Sequence, residues 1–138
     1  MTSLVHVKLT LQAQVLPNTG DAKLLRQTVE RFNEAANWLA GKAFESGLAN
    51  KIRLQQLHYY ELRSRFGLSA QMAVRCIAQT VEAYKRDRSI RPTFRPHAAM
   101  PFDQRLMSFK GIDRVSLLTL SGRVIVPIIM GRYQRERF

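Results

Sequence analysis

Ten aspartates and glutamates, three histidines and one cysteine are the side chains of this 138-residue chain that could move protons, hold metals or attack a carbonyl. Their spacing sets up none of these reactions. Glu30, Glu34, Glu45, Glu61 and Glu82 fall on polar faces of helical stretches, and Asp103 and Asp113 fall in turn-like segments. No carboxylate pair is therefore placed as a general acid and base. His6, His58 and His97 stand far apart with no metal-ligand spacing, and no glycine-rich phosphate loop occurs. Cys76 is the only cysteine, which excludes a disulfide framework; its place on an apolar helical stripe reads as a packed thiol. The expectation is a chain with no catalytic site, no metal and no cofactor.

The basic side chains offer a different chemistry. Lysine and arginine number 22 against 10 acids, a formal net charge of +12 with a pI near 10.9. Such a surplus favours polyanions through counterion release and steering. It is concentrated: residues 84–138 hold 12 basic and 4 acidic side chains. Lys85, Arg86, Arg88, Arg91, Arg95 and Arg105 lead this stretch, and a guanidinium fork can grip phosphate at two points. Tyr84 and Phe94 are interleaved with them, as bases and phosphates together would require. Singly, each aromatic reads as a core residue. As a group, the arginines read as phosphate contacts. A second basic surface comprises Lys51, Arg53, Arg63 and Arg65, with His58 and Tyr59 beside them. Gln71 and Arg75 lie on the polar side of a third helix, near an N-terminus that can meet phosphates or base edges. Ser69 reads first as that helix's N-cap.

The elements that position these groups follow from periodicity. Residues 4–16 alternate: Val5, Val7, Leu9, Leu11, Ala13 and Val15 face one way, and His6 and Lys8 lie on the wet face. Pro17-Asn18-Thr19-Gly20 reads as a loop. From Asp21 a helical stripe runs Leu25, Val29, Phe32, Ala36, Leu39, Ala43 to a stop at Gly47, with Trp38 and Phe44 flanking it. A second helix over 51–66 has Ile52, Leu54, Leu57, Tyr60, Leu62 and Phe66 as its expected buried side. A third, from Ser69 to about Arg86, has Ala70, Ala73, Val74, Ile77, Val81 and Tyr84. Prolines 92 and 96 hold the next stretch extended. A short strand is expected near 106–109. A hairpin follows, with Val115–Leu120 and Arg123–Ile129 flanking Ser121-Gly122. Pro127 implies an edge or a bulge. A lone first strand is not stable, so it must pair with the later hairpin. The expected fold is α+β: a small, OB-like β-barrel or curled sheet with a three-helix insertion after its first strand. The divisions are 1–18, 19–88 and 89–138.

Four stretches in this order resemble the N-terminal portion of TnpB-like proteins, transposon-encoded RNA-guided nucleases related to type V CRISPR effectors. They are Leu9-Thr10-Leu11 to Leu16-Pro17-Asn18; Arg31-Phe32-Asn33-Glu34-Ala35-Ala36-Asn37; Leu68-Ser69-Ala70-Gln71 through Glu82-Ala83-Tyr84-Lys85; and Pro92-Thr93-Phe94-Arg95-Pro96 with Val115-Ser116-Leu117 and Gly122-Arg123-Val124-Ile125-Val126-Pro127. The resemblance implies that the β part is a wedge domain and the helices a recognition lobe. It implies that both hold a guide-RNA scaffold and contact a short motif beside the target DNA. Gln71 matches one region that approaches this motif, and Met107-Ser108-Phe109 matches a second. In that family a nuclease domain follows. Here it is expected in cis in a longer protein or in trans, and a naturally shortened relative would bind without cutting.

The competing expectation is a structural or assembly protein, ribosome-associated or completing a partner's sheet through an edge near Pro127. No run approaches the roughly 18 apolar residues needed to span a membrane. No apolar signal core opens the chain. A cytoplasmic protein that does not bind membranes is expected.

Overall fold

The computed structural model describes residues 13–15 and 17–130. The expected facing of Val5 to Leu11, the position of His6, and the tail arginines 132, 135 and 137 lie outside the described residues. Element order is β1 (Ala13–Val15), α1 (Thr19–Ser46), α2 (Lys51–Phe66), α3 (Ala70–Arg86), β2 (Met107–Phe109), β3 (Arg114–Thr119) and β4 (Gly122–Met130). The chain is α+β, and the helices form an insertion between the first strand and the rest of the sheet.

Local chemistry sets each helix boundary. Asn18 caps α1 by accepting from the Asp21 amide at 2.8 Å, and Asn50 caps α2 through the Arg53 amide at 3.0 Å. Ser69 caps α3 through the Met72 amide at 3.2 Å. Each side-chain oxygen satisfies a first-turn amide that has no helical partner. Gly47 and Gly67 end α1 and α2 with φ of 68° and 66°, a region that favours glycine. The expected loop 17–20 is thus shorter than its composition suggests. Asn18 serves as a cap, and Thr19 and Gly20 already belong to the helix.

The main core lies among the three helices. Phe32, Leu39, Leu54, Leu62, Met72 and Ile77 are fully buried there, each contributing about 1.5–3 kcal/mol by leaving water. Cys76 and Tyr84 belong to the same cluster. Burial pushes the Cys76 thiol up to about 12, despite the Thr80 hydroxyl beside it. Trp38 meets Phe66 and His58 across the α1–α2 contact, and Phe44 meets Tyr84.

The expected buried side of α2 needs correction. Leu54, Leu62 and Phe66 are buried, but Ile52 is 70%, Leu57 51% and Tyr60 80% exposed. The helix rests on α1 and α3 along one narrow line, so its remaining apolar residues face solvent. Ala70, expected inside, is likewise exposed at the start of α3.

The strands form an antiparallel sheet in the order β1-β4-β3-β2. β1 pairs with the far end of β4, Val15 opposite Ile128 and Ala13 opposite Met130. Among the described residues the sheet is open, with β1 and β2 at its edges. Val115, Leu117, Val126 and Ile128 form a second, smaller core on its inner face, packed against Leu25 of α1 and against Phe102. Phe102 also touches the helical core, and the Leu120 amide donates to the Thr28 hydroxyl at 3.2 Å. α1 therefore serves both cores. Thr119 pairs with Gly122, so the two turn residues are Leu120 and Ser121, one position earlier than expected.

β4 has neighbours on both sides, but among the described residues Pro127 itself pairs only with Arg114 of β3. β4 pairs with β3 through residues 122–127 and with β1 through 128–130. The Ile128 amide donates to Asp113 O at 2.8 Å. Since amides in an antiparallel ladder alternate in direction, the missing donor at 127 faces away from β3 and removes no bond from that ladder.

Candidate nucleic-acid interface

The segment after α3 is extended because prolines 92 and 96 forbid helix in their predecessors, and α1 holds it in place. The Asn37 side chain forms a two-point clasp with residue 94, its Nδ2 donating to Phe94 O at 2.8 Å and its Oδ1 accepting from Phe94 N at 2.7 Å. One helical turn earlier, fully buried Asn33 donates to Pro96 O at 3.1 Å and to Ala98 O at 2.9 Å. At its start, Asp87 accepts from the Ser89 hydroxyl at 2.6 Å and from its amide at 3.0 Å. Those bonds hold the Asp87 carboxyl below its usual range. The result is a pinned strap over 87–101.

Between strap and α3 runs a groove of about 370 Å³. Arg75, Gln79, Glu82, Ala83 and Arg86 line one wall, and Phe94, Ala99, Met100 and Pro101 line the other. Arg75 and Arg86 are eleven residues apart on α3, so they stand about 16 Å apart along its axis. Arg86 pairs with Glu82 at 3.8 Å with both side chains 76% exposed. A pair in such contact with water holds its partners weakly. The Arg75 Nε is buried with no hydrogen-bond partner among the described residues, and its nearest carboxylate oxygen, on Asp103, is 3.9 Å away. Phe94 lines the groove while packing against the helical core. Tyr84 is wholly a core residue.

The groove continues into a polar network. Gln71 Nε2 donates to Asp103 at 2.5 Å, and Gln71 Oε1 accepts from Arg105 at 3.2 Å. Arg123 donates to Arg105 O at 2.6 Å and to the buried Ser116 hydroxyl at 3.1 Å. Ser116 lies opposite Ser108 of β2. Burial alone would push the Asp103 carboxyl up. Hydrogen bonds from Gln71 and from the Arg105 and Leu106 amides outweigh it, with Arg75 nearby, and hold it low. Arg123 was not singled out in the sequence as a site residue. Its signal is a polar residue on the outward face of β4, opposite Leu118.

The sequence-predicted residues therefore fall into three groups. Gln71, Arg75, Arg86, Phe94 and Arg105 come together along the groove and its network, which leads across the sheet toward Ser108. Lys85, Arg88, Arg91 and Arg95 are exposed on the end of α3 and the strap. Arg91 lies tight against α1. A Cβ built on Gly41 would come within 2.7 Å of its Nη2, so a larger residue there would displace the guanidinium. Lys51, Arg53, Arg63 and Arg65 stand on α2, away from the groove walls. Three of these four are in local use: Arg53 donates to Gln56 Oε1 at 3.1 Å, Arg63 donates to Leu68 O at 3.3 Å, and Arg65 reaches Glu61 at 3.2 Å while lying over the Trp38 ring.

His58 packs its ring against Trp38 at the α1–α2 contact. Desolvation against the edge of Trp38 lowers its pKa, opposed by Glu61 and reinforced by Lys42. A lowered folded value means that the unfolded chain binds the proton more tightly. Stability should therefore fall as pH drops below 6.5 and level off beneath the folded pKa. Melting curves between pH about 7.5 and about 5.5 should show this loss, and His58→Gln should remove its share. A variant with the same pH profile as the parent would refute the assignment.

Among the described residues no group of three or more His, Cys, Asp or Glu is placed to share a metal ion. No helix among them is long and apolar enough to cross a membrane. Compared with protein-family models, curated proteins and solved structures, the chain matches none.

Proposed function

We propose that this chain is a nucleic-acid-binding module, without chemistry of its own, that holds a guide-RNA scaffold and contacts the motif flanking a DNA target for an RNA-guided nuclease of TnpB-like kind. The observation that carries the reading is the groove between α3 and the pinned strap, with Arg75 and Arg86 on its α3 wall, together with exposed Arg88, Arg91 and Arg95 on the strap. In this reading the sheet is the wedge-like part, a small barrel, and α1–α3 the recognition lobe. The nuclease domain acts in cis or in trans, and the setting is cytoplasmic. Arginines hold phosphates and fix register. RNA shape and 2′-hydroxyls are met by the faces around the groove. Sequence is left to base pairing, as in RNA-guided effectors generally.

The test is a binding titration against a structured RNA and a duplex DNA over a range of salt. The logarithm of affinity should fall with the logarithm of salt with a slope near −4 or steeper, about −0.9 per phosphate neutralised on a duplex. One structured RNA should bind more tightly than generic duplex. Weak binding, equal for every polyanion, would overturn the reading. A second reading, a structural or assembly protein, is favoured by one observation. Ile125 and Ile129 leave the outward side of β4 about half exposed, at 53% and 46%. That surface suits a partner protein.

A further inference from the structure

The exposed side of α2 is not explained by the fold. Ile52, Gln55, Gln56, Tyr59 and Tyr60 recur at three- and four-residue steps and line a shallow groove of about 600 Å³ on that helix alone. Ile52 and Tyr60 are among the most exposed apolar side chains described, and Leu57 flanks them. Scattered apolar residues on a surface need no account, but a contiguous row of this kind marks a binding surface. Tyr59 is half-buried against the helical core, and its ring meets that of Tyr60 edge to face at 5.3 Å. The buried ring thus braces the exposed one, which is presented to solvent with restricted motion.

We propose that this face is a stacking platform for an unpaired stretch of RNA, with Tyr60 as the ring on which a base lies. Charge selects this occupant over a protein partner. Lys51 and Arg53 stand at one end of the row and Arg63 at the other; the sole acid on the helix, Glu61, is tied to Arg65, which lies over Trp38. A second copy of the chain would bring another +12 charge to a positive face, which opposes self-association. Phosphates flanking a stacked base would meet these cations. Gln55 and Gln56 carry amides of the type that pairs with base edges, and Arg53 orients Gln56 by donating to its Oε1 at 3.1 Å. The row from Ile52 to Tyr60 spans about 12 Å, enough to run beside about three nucleotides at roughly 3.4 Å each. Unpaired loops and ends are where RNA exposes base faces for stacking.

The proposal rests on the nucleic-acid-binding reading, so its test has two arms. The full chain, its Tyr60→Ala, Tyr60→Leu and Tyr60→Phe variants are titrated with a 12-nucleotide single-stranded RNA and with an RNA duplex of equal length. Tyr60→Ala and Tyr60→Leu should weaken single-strand binding by roughly 5- to 100-fold, the range for losing one base–aromatic stack. Duplex affinity should stay within about twofold, and Tyr60→Phe should retain most single-strand affinity because the ring remains. If the parent binds duplex in a salt-dependent way but the alanine variant holds single strands equally well, the platform is overturned and the module reading stands. If the parent binds neither RNA, both fall. Sedimentation of parent and alanine variant supplies the remaining outcome: a parent dimer that the variant abolishes would make this face a protein interface and sink the proposal.

Discussion

Replacing Arg86, Arg88, Arg91 and Arg95 together by glutamine is expected to cut nucleic-acid affinity by about a thousandfold at roughly 0.15 M salt. The figure follows from counterion release. If each of the four meets one phosphate of a duplex, the salt slope shrinks by about 3.6, and between 1 M and 0.15 M salt that amounts to about three decades. The parent and variant curves should converge near 1 M. Stability should change little, because all four side chains are exposed and the single ion pair lost, Arg86 with Glu82, is a solvated one. A variant with slope and affinity both unchanged would show that these four arginines do not touch phosphate. An equal slope with a uniformly lower affinity would mean that the substitutions had damaged the fold, and a melting curve would reveal it.

Asn33→Asp is expected to have the largest effect on stability. Asn33 is fully buried and donates through one nitrogen to two carbonyls of the strap, Pro96 O and Ala98 O. Aspartate keeps the shape but exchanges that donor for an oxygen, setting a carboxylate against two carbonyl oxygens in a dry site. The cost of a buried group left unpaired is about 1–3 kcal/mol, and more for a charge. A loss above about 3 kcal/mol is therefore expected, with the proton as partial remedy. Burial and repulsion raise the new carboxyl's folded pKa above its unfolded value of about 3.9. The variant's stability should then fall as pH rises through about 4 and keep falling until the folded pKa is passed. Asn33→Ala removes the donor without adding charge. It should cost about 1–3 kcal/mol with no such pH dependence. Denaturant unfolding of both variants at pH about 4.5 and about 7.5 separates the cases. Two variants equally stable at both values would show that the Asn33 contacts do not hold the strap.

What the sequence made legible was chiefly local. Several helix ends were readable because Gly47, Gly67 and Ser69 act within one turn of where they stand; the start of α1 was not, since its cap, Asn18, has the composition of a loop. The pairing of the first strand with the hairpin was readable too, from the need of any strand for a partner. The outward side of α2 was not. Ile52, Leu57 and Tyr60 have the composition of a core stripe, and only the narrowness of the contact with α1 and α3 leaves them in water. Nor could the asparagines be assigned. Asn33 and Asn37 sit one turn apart on an amphipathic helix, but their partners lie 57 to 65 residues onward. Among the described residues the sheet is open, and closure depends on pairings between its two edges, which alternation within a strand does not specify. Among the candidate site residues, the clustering of arginines was visible in sequence. That α3 sets two of them, Arg75 and Arg86, along one wall of a groove whose other wall is the strap was not.

α1 runs for 28 residues, about 42 Å of continuous helix, and three different parts of the molecule are fastened along it. Leu25 and Thr28 hold the sheet, Asn33 and Asn37 hold the strap, and Trp38 meets α2. One wall of the groove is therefore bolted to a rod that the sheet also uses, and the spacing between arginines on the strap is set before any polyanion arrives. Ordering a loose basic segment on binding costs conformational entropy at each immobilised residue. Here that cost has been met during folding, so more of the attraction between arginine and phosphate can appear as affinity.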